Sequence, residues 1–179
     1  MRIVSGKLKG RRIIAPKKLP VRPTTDMAKE ALFNILNHRF SFKHIRVIDL
    51  FSGIGSISLE FASRGTENIT SVDKNFNCVK FLSQTAEDLG VELQVIKADV
   101  FEFVAKNKLT ADIVFADPPY DLETETFIKL VEEILKPENE VELCIIEHSK
   151  HMDLSEGLLY QETRNYGGSS FSFFGKEEE

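Results

Sequence analysis

An α/β fold is predicted for this 179-residue chain, a Rossmann-like, seven-stranded, mostly parallel sheet with helices on both faces. Three observations predict it. From residue 45 onward, apolar runs alternate with helical patterns, the rhythm of a parallel sheet with crossover helices. The runs are rich in Val and Ile, as strands covered on both faces should be. The last segment, LLYQETRNYGGSSFSFFG, has strand patterning on either side of Gly167-Gly168 and no helix between, so it closes the sheet as an antiparallel hairpin.

Residues 1–22 hold two short strand-like segments, MRIVSG and GRRIIAP, around Gly6 to Gly10. A helix is predicted over 26–39, because Ala28, Ala31, Leu32, Ile35 and Leu36 form a stripe and Thr25 or Asp26 can cap it. Five strands follow at 46–51, 68–73, 92–98, 111–116 and 141–147, separated by the helical runs ISLEFASRG, NCVKFLSQTAEDLG, VFEFVAKN and ETFIKLVEEILK. In the last of these, placed at 123–136, Phe127, Leu130, Val131, Ile134 and Leu135 share one face, and Pro137 stops it. The final KEEE is expected to be a loose tail. The chain therefore divides into a basic extension, 1–44, packed on a core domain, 45–179.

A chain of this length fits one domain with a real core. Hydrophobic residues make up 42% and charged residues 28%, and no apolar run approaches the roughly 20 residues of a membrane span. The basic N-terminus lacks the apolar stretch of a secretory signal, so a cytoplasmic location is expected. Cys78 and Cys144 form no disulfide framework and no C-x-x-C pair; both are read as reduced, Cys144 as core. Charge is segregated. Residues 1–46 carry 12 Lys and Arg against 2 acidic residues, and the remainder 11 against 26. That asymmetry points to nucleic-acid or membrane contact by the basic part, with a merely solvated arm as the plainer reading.

Ligands of open parallel sheets bind beyond the carboxyl ends of the strands, so those ends are where chemistry is expected. Strand one runs into Asp49-Leu50-Phe51-Ser52-Gly53-Ile54-Gly55, strand two ends at Asp73, strand three at Asp99 and strand four at Asp117-Pro118-Pro119-Tyr120. One such Asp is most simply a helix cap; four converging on one edge suggest a site. Gly53 and Gly55 allow a tight turn and close approach of a ligand, yet G-x-G alone is weak, and Asp49 would repel a pyrophosphate. A carboxylate there suits an ammonium or sulfonium instead, which points to S-adenosylmethionine. On that reading Asp49 lies near the methionyl ammonium, Gly53 and Gly55 line the same stretch, Asp73 binds ribose hydroxyls and Asp99 pairs with the adenine amine. His148 and His151 have no adequate companion ligands, so they are read as surface histidines and no metal is expected.

The segments DLFSGIGSISLE, VDKN, KADV and DPPY resemble the successive motifs of class I S-adenosylmethionine-dependent methyltransferases, and DPPY resembles the signature of those acting on exocyclic amines of nucleobases. MRIVSGKLKGRRI, VRPTTDMAKEALFNIL and RNYGGSSFSFF are similar to the flanking segments of the bacterial small-subunit rRNA guanine-N2 methyltransferases, the RsmD type. The likeness runs from residue 1 to about 174. Lys29 stands where that family often has Arg, a change expected to weaken a bidentate phosphate contact, and Ile54 where a small residue is common.

The resemblance implies a cofactor site at Asp49, Phe51, Gly53, Gly55, Asp73, Lys74, Asp99 and Val100, and a catalytic turn of Asp117, Pro118 and Tyr120. The Asp117 carboxylate and the Pro118 carbonyl would grip the two N–H bonds of a guanine amine, turning its lone pair toward the sulfonium methyl, while Tyr120 stacks on the base. Because a base cannot react while stacked, the target must lie in a loop or be flipped out. Lys7, Lys9, Arg11, Arg12 and Arg22 would hold phosphates around it, as would Lys17 and Lys18, with Arg22 nearest the chemistry. Thr24 is grouped with this RNA-facing set, although a capping role for Thr24 or Thr25 competes. The implied partner is 16S rRNA within an assembling small subunit; a monomer is the default expectation for so compact a chain. Two other enzyme readings, a DNA adenine-N6 and a protein glutamine methyltransferase, lack respectively room for a target-recognition region and an Asn at position 117. A non-catalytic RNA-binding module of the same fold is the third.

Overall fold

The computed structural model describes residues 1–22 and 24–176; Pro23 of the VRPTT stretch and Glu177–Glu179 of the expected tail lie outside the described residues. Helix α1 (Asp26–Arg39) starts where Thr25 accepts the Ala28 amide at 3.2 Å and buries the stripe of Ala28, Leu32, Phe33 and Leu36. A short 3-10 turn (Phe42–His44) leads into β1 (Arg46–Leu50), α2 (Ser56–Ser63), β2 (Asn68–Asp73), α3 (Phe76–Leu89) and β3 (Gln94–Lys97). Then come α4 (Val100–Lys106), β4 (Thr110–Ala116), α5 (Thr124–Ile134), β5 (Glu140–Ser149), β6 (Tyr160–Tyr166) and β7 (Ser169–Gly175).

The seven strands form one sheet in the order β3-β2-β1-β4-β5-β7-β6. The first five are parallel and the last two antiparallel, as the sequence predicts. The order reverses between β1 and β4, so a cleft opens beyond their carboxyl ends. Side chains alternate across the sheet. Val47, Ile113, Phe115, Leu143 and Ile145 pack with α1 and α2 around a cluster of Phe33, Phe42 and Phe61, whose rings meet edge to face at 4.6 to 5.8 Å. Ile48, Leu50, Val114, Cys144 and Ile146 pack on the other side with α4 and α5. Cys78 and Cys144 are both buried free thiols. Among the described residues no helix is long and apolar enough to cross a membrane.

Several boundaries differ from the expectation, β5 for instance running Glu140–Ser149. β3 is shorter than 92–98, because α3 ends at the left-handed Gly90 and the Val91 amide returns to the Ala86 carbonyl at 3.0 Å, keeping the chain off the sheet until Gln94. α5 ends at Ile134, three residues before Pro137. The N-terminal strand pair contracts to a single bridge, Arg2 to Arg12. The donors that an opposite strand would take are captured by α2: the amides of Val4 and Ser5 reach the Glu60 carboxylate at 3.0 to 3.2 Å, and those of Lys7 and Leu8 reach the Ser63 carbonyl and hydroxyl at 2.8 and 3.0 Å.

Gly6 is where this docking is tightest. It has φ +83°, and a Cβ there would lie 2.0 Å from the Ser63 carbonyl oxygen, whereas Gly10 has φ +85° with open space around it. Gly10→Ala is expected to cost about 1 to 2 kcal/mol from the left-handed backbone alone. Gly6→Ala should cost clearly more, because the extension must also lift from α2. The urea midpoints of the two variants check this, and equal shifts would show that the contact is dispensable.

Candidate active site

Strand register places three carboxylates together. Asp49 of β1 pairs with Phe115 of β4, which pairs with Ile145 of β5. Just past the last pair of that register, Ala116 with Ile146, Asp117 and Glu147 follow as neighbours, close enough for the Glu147 charge to act on Asp117. All three line an open cleft of about 600 Å³, which also receives Asp73, Asp99 and Tyr120.

Asp49 is buried, and its Oδ2 accepts the Ser58 amide at 3.1 Å and the Ser58 hydroxyl at 2.6 Å. Those donors belong to the first turn of α2, whose N-cap, Gly55, has no side chain to serve them. Burial nevertheless pushes the Asp49 carboxyl up to about 7, against the Ser58 bonds that favour its anion. Burial also raises Asp117 well above the ordinary carboxylate value, with Glu147 and Asp49 adding repulsion and Arg22 opposing. Glu147 is raised for the same first reason, eased by hydroxyls of Thr24 and Ser169 and by Arg22.

Around this edge the sequence-predicted residues take distinct places. Asp73 accepts the Gly53 amide at 2.8 Å through Oδ2 and the Asn75 amide at 2.8 Å through Oδ1, so it shapes the β1–α2 loop while facing the cleft. Asp99 caps α4 by accepting the Glu102 amide at 3.0 Å, and Lys74 and Val100 line the cleft beside it. Phe51 takes a left-handed φ of 57°, uncommon for a bulky side chain, and its ring meets Phe101 at 5.8 Å. Gly53 lines the cleft as expected. Gly55 does not: its φ is +86°, and a Cβ would strike Leu82 of α3 at 2.2 Å, so this glycine serves the turn and helix packing rather than a ligand.

Asp117, Pro118 and Tyr120 all reach the cleft. The Tyr120 hydroxyl bonds to Ser169 Oγ at 3.1 Å, and the Arg22 guanidinium lies 5.2 Å from its ring centroid. The guanidinium thus covers one face of the ring. Thr24 donates to Glu147 Oε2 at 2.7 Å and Thr25 caps α1, which separates the two roles that the sequence left open. Lys7, Lys9, Arg11, Arg12, Lys17 and Lys18 are exposed and do not line the cleft. The turn bearing Lys7 and Lys9 rides on the far end of α2, about 10 Å of helix from the cleft.

Two readings are corrected. Lys29 makes no phosphate contact: it is fully buried, and its Nζ donates to the Arg2 carbonyl at 2.7 Å and to Ser56 Oγ at 3.2 Å, bridging extension, α1 and α2. A long flexible ammonium reaches both acceptors from inside the packing. His148 is no surface histidine. It is fully buried in β5, its Nε2 bonded to Ser172 Oγ at 2.7 Å and its Nδ1 to the Ser149 carbonyl at 2.8 Å, and burial lowers its pKa. Of the two histidines, His151 alone is exposed. The residue missed altogether was Glu147, although an acid ending the apolar run LCIIEH was a visible signal of the same kind as the other four.

S-adenosylmethionine fits what is present. Ser52 Oγ is buried at the cleft with no partner among the described residues, so a polar ligand atom would satisfy it. The raised Asp49 carboxyl is a strained acid that a cation would relieve.

Comparison with known proteins agrees with this geometry. A Bacillus subtilis protein, YlbH, which carries a provisional rRNA methyltransferase name, is 29% identical over 98% of this chain and 99% of its own. The ribosomal RNA small subunit methyltransferase D of Buchnera aphidicola is 31% identical over 67% of this chain, and the chain spans about three fifths of its length, 61%. A solved structure of a hypothetical protein from Thermus thermophilus superposes with a TM-score of 0.83 at 26% identity, over 98% of this chain and 99% of that one. With residues 1–175 matching the profile of the family described as Conserved hypothetical protein 95, from the basic extension through the carboxylate edge to β7, the chain belongs to that family, the RsmD type its motifs resemble.

Proposed function

We propose that this protein transfers a methyl group from S-adenosylmethionine to the exocyclic N2 amine of a guanine in 16S rRNA, acting in the cytoplasm, as a monomer, on an assembling small ribosomal subunit. One observation carries the reading: the Asp117-Pro118-Pro119-Tyr120 turn enters the same cleft as the acids ending β1, β2 and β3. The rRNA methyltransferase names of YlbH and of the Buchnera relative support it.

The cofactor supplies an electrophilic methyl group on a sulfonium. Asp49 holds the ammonium end, the backbone at Gly53 and the rings of Phe51 and Phe101 shape the floor, Asp73 takes ribose hydroxyls, and Asp99 takes the adenine amine beside Lys74 and Val100. The Asp117 carboxylate and the Pro118 carbonyl accept the two N–H bonds of the target amine, which aims its lone pair and stabilises positive charge growing on nitrogen. The rigid prolines keep both acceptors in place. Asp117, or water, would take the surplus proton of the amine once it carries the methyl group. Residues 1–44 form the RNA-contacting extension, with Arg22 and Thr24 at the cleft mouth and Lys7, Lys9, Arg11 and Arg12 farther out on phosphates.

The test is transfer of labelled methyl to small subunits lacking the modification, to naked 16S rRNA and to duplex DNA. N2-methylguanine in rRNA is expected; label in DNA adenine would overturn the substrate. Asp117→Asn should lower kcat by about 10²- to 10³-fold with cofactor affinity nearly unchanged, measured by steady-state kinetics and cofactor titration. Replacing Lys7, Lys9, Arg11 and Arg12 by Ala should raise KM for rRNA. It should also flatten the plot of log affinity against log salt by about 0.7 for each phosphate no longer neutralised.

A pH dependence follows from Asp49. Its proton is retained in the folded chain up to about 7 but lost from the unfolded chain near 3.8, so stability is full below the lower value and falls as pH rises between the two. A cationic ligand prefers the ionised form. Cofactor affinity should therefore rise from pH 6 to pH 8, and Asp49→Asn should bind more weakly with a flattened profile; an unchanged profile in the variant would remove Asp49 from this role.

A further inference from the structure

We infer that Glu147 is a specificity-determining residue that reads the N1–H of the target base and so selects guanine over adenine. The inference rests on the nucleobase-amine reading of the cleft and adds a residue that reading does not use. The β4–β5 register ends at Ala116 and Ile146, so the next residues, Asp117 and Glu147, follow as neighbours, and the Glu147 charge acts on Asp117. It is 2% exposed, yet its side chain lines the cleft rather than the core. Its Oε2 accepts from the Thr24 hydroxyl at 2.7 Å, and Ser169, whose Oγ meets the Tyr120 hydroxyl at 3.1 Å, lies near enough to ease its charge. The Thr24 hydroxyl therefore orients Glu147 without a salt bridge among the described residues, although a buried acid is costly without a ligand to meet.

Purine chemistry says what that ligand is. Guanine presents N1–H and the N2 amine as adjacent donors on its Watson–Crick edge. Adenine presents a donor amine beside a bare N1 acceptor, and cytosine a donor amine beside a bare N3. Two neighbouring acid side chains match the guanine pair: with Asp117 on the amine, Glu147 accepts from N1–H. Against adenine or cytosine the same oxygen would face a ring-nitrogen lone pair. Close like charges also favour a single proton shared across the two acids, and with that proton on Glu147 its carbonyl oxygen still accepts from N1–H while its hydroxyl can donate to O6. The plainer role, a tie between the extension and β7 through Thr24 and Ser169, predicts no dependence on the base.

The experiment compares guanosine with 2-aminopurine riboside, which keeps the 2-amine but replaces N1–H by a bare nitrogen and carries hydrogen in place of O6, so both groups that Glu147 would read are lost together. Binding of each to the cofactor-loaded full chain is measured by calorimetry or ligand-observed NMR. The wild type should prefer guanosine by about 10- to 100-fold. Glu147→Gln, whose amide can present either a donor or an acceptor, should bring that ratio toward one while retaining cofactor binding. Should Glu147→Gln lose cofactor binding through misfolding, Thr24→Val decides instead, since it frees the carboxylate and should reduce the ratio in part. An unchanged ratio in the variants, or equal binding of the two nucleosides by the wild type, would overturn the role of Glu147. Methyl transfer to rRNA with an unchanged ratio keeps the proposed function and loses only this inference; no transfer and no guanosine binding would sink both.

Discussion

Asp49, Asp117 and Glu147 meet at one edge of the sheet, lining an open cleft while themselves withdrawn from water, and burial raises the pKa of each. Everything around them is arranged by the cost of that placement. The first turn of α2 turns two Ser58 donors toward Asp49, Thr24 turns its hydroxyl toward Glu147, and Arg22 lies where its field reaches both Asp117 and Glu147. None of these neighbours forms a full ion pair with the acids among the described residues. The edge keeps an unmet demand for positive charge and hydrogen-bond donors.

That demand explains why the N-terminal extension is bolted down rather than left free. Glu60, fully buried in α2, collects two backbone amides of the extension and the Arg64 guanidinium, which in turn lies 4.6 Å from the Phe33 ring centroid. Lys29 ties Arg2 to α2 from the other side. A buried carboxylate with three donors is held firmly, and losing it would strand those donors. The consequence is functional. Arg22 and Thr24 reach the cleft mouth from a segment whose beginning is fixed on the domain, so the basic face keeps a set position relative to the acids.

Most of the fold was legible in the sequence because the patterns that specify it are local. Val- and Ile-rich runs alternating with helical stripes required a parallel sheet, and Gly167-Gly168 required a hairpin. The acids at 49, 73, 99 and 117 were legible for a related reason: a strand end is a local event, and topology brings such ends to one edge. Gly55 shows the limit of this reasoning. A glycine in a G-x-G loop looks the same whether it admits a ligand or the Leu82 side chain of a neighbouring helix.

What the sequence by itself determined is the sheet, its crossover helices, the charge segregation and four of the acids, since each follows from residue period or from a residue type at a strand terminus. Only the tertiary structure decided which buried polar groups meet. Lys29 could be a phosphate ligand or a bridge, His148 a surface residue or a buried link, Glu147 a strand-end accident or a partner of Asp117. Their distances in sequence, 27 residues from Lys29 to Ser56 and 123 from Thr24 to Glu147, exceed any local pattern. Long-range pairing is set by strand register and helix docking, and burial then turns an ordinary Lys, His or Glu into one with a single place to go.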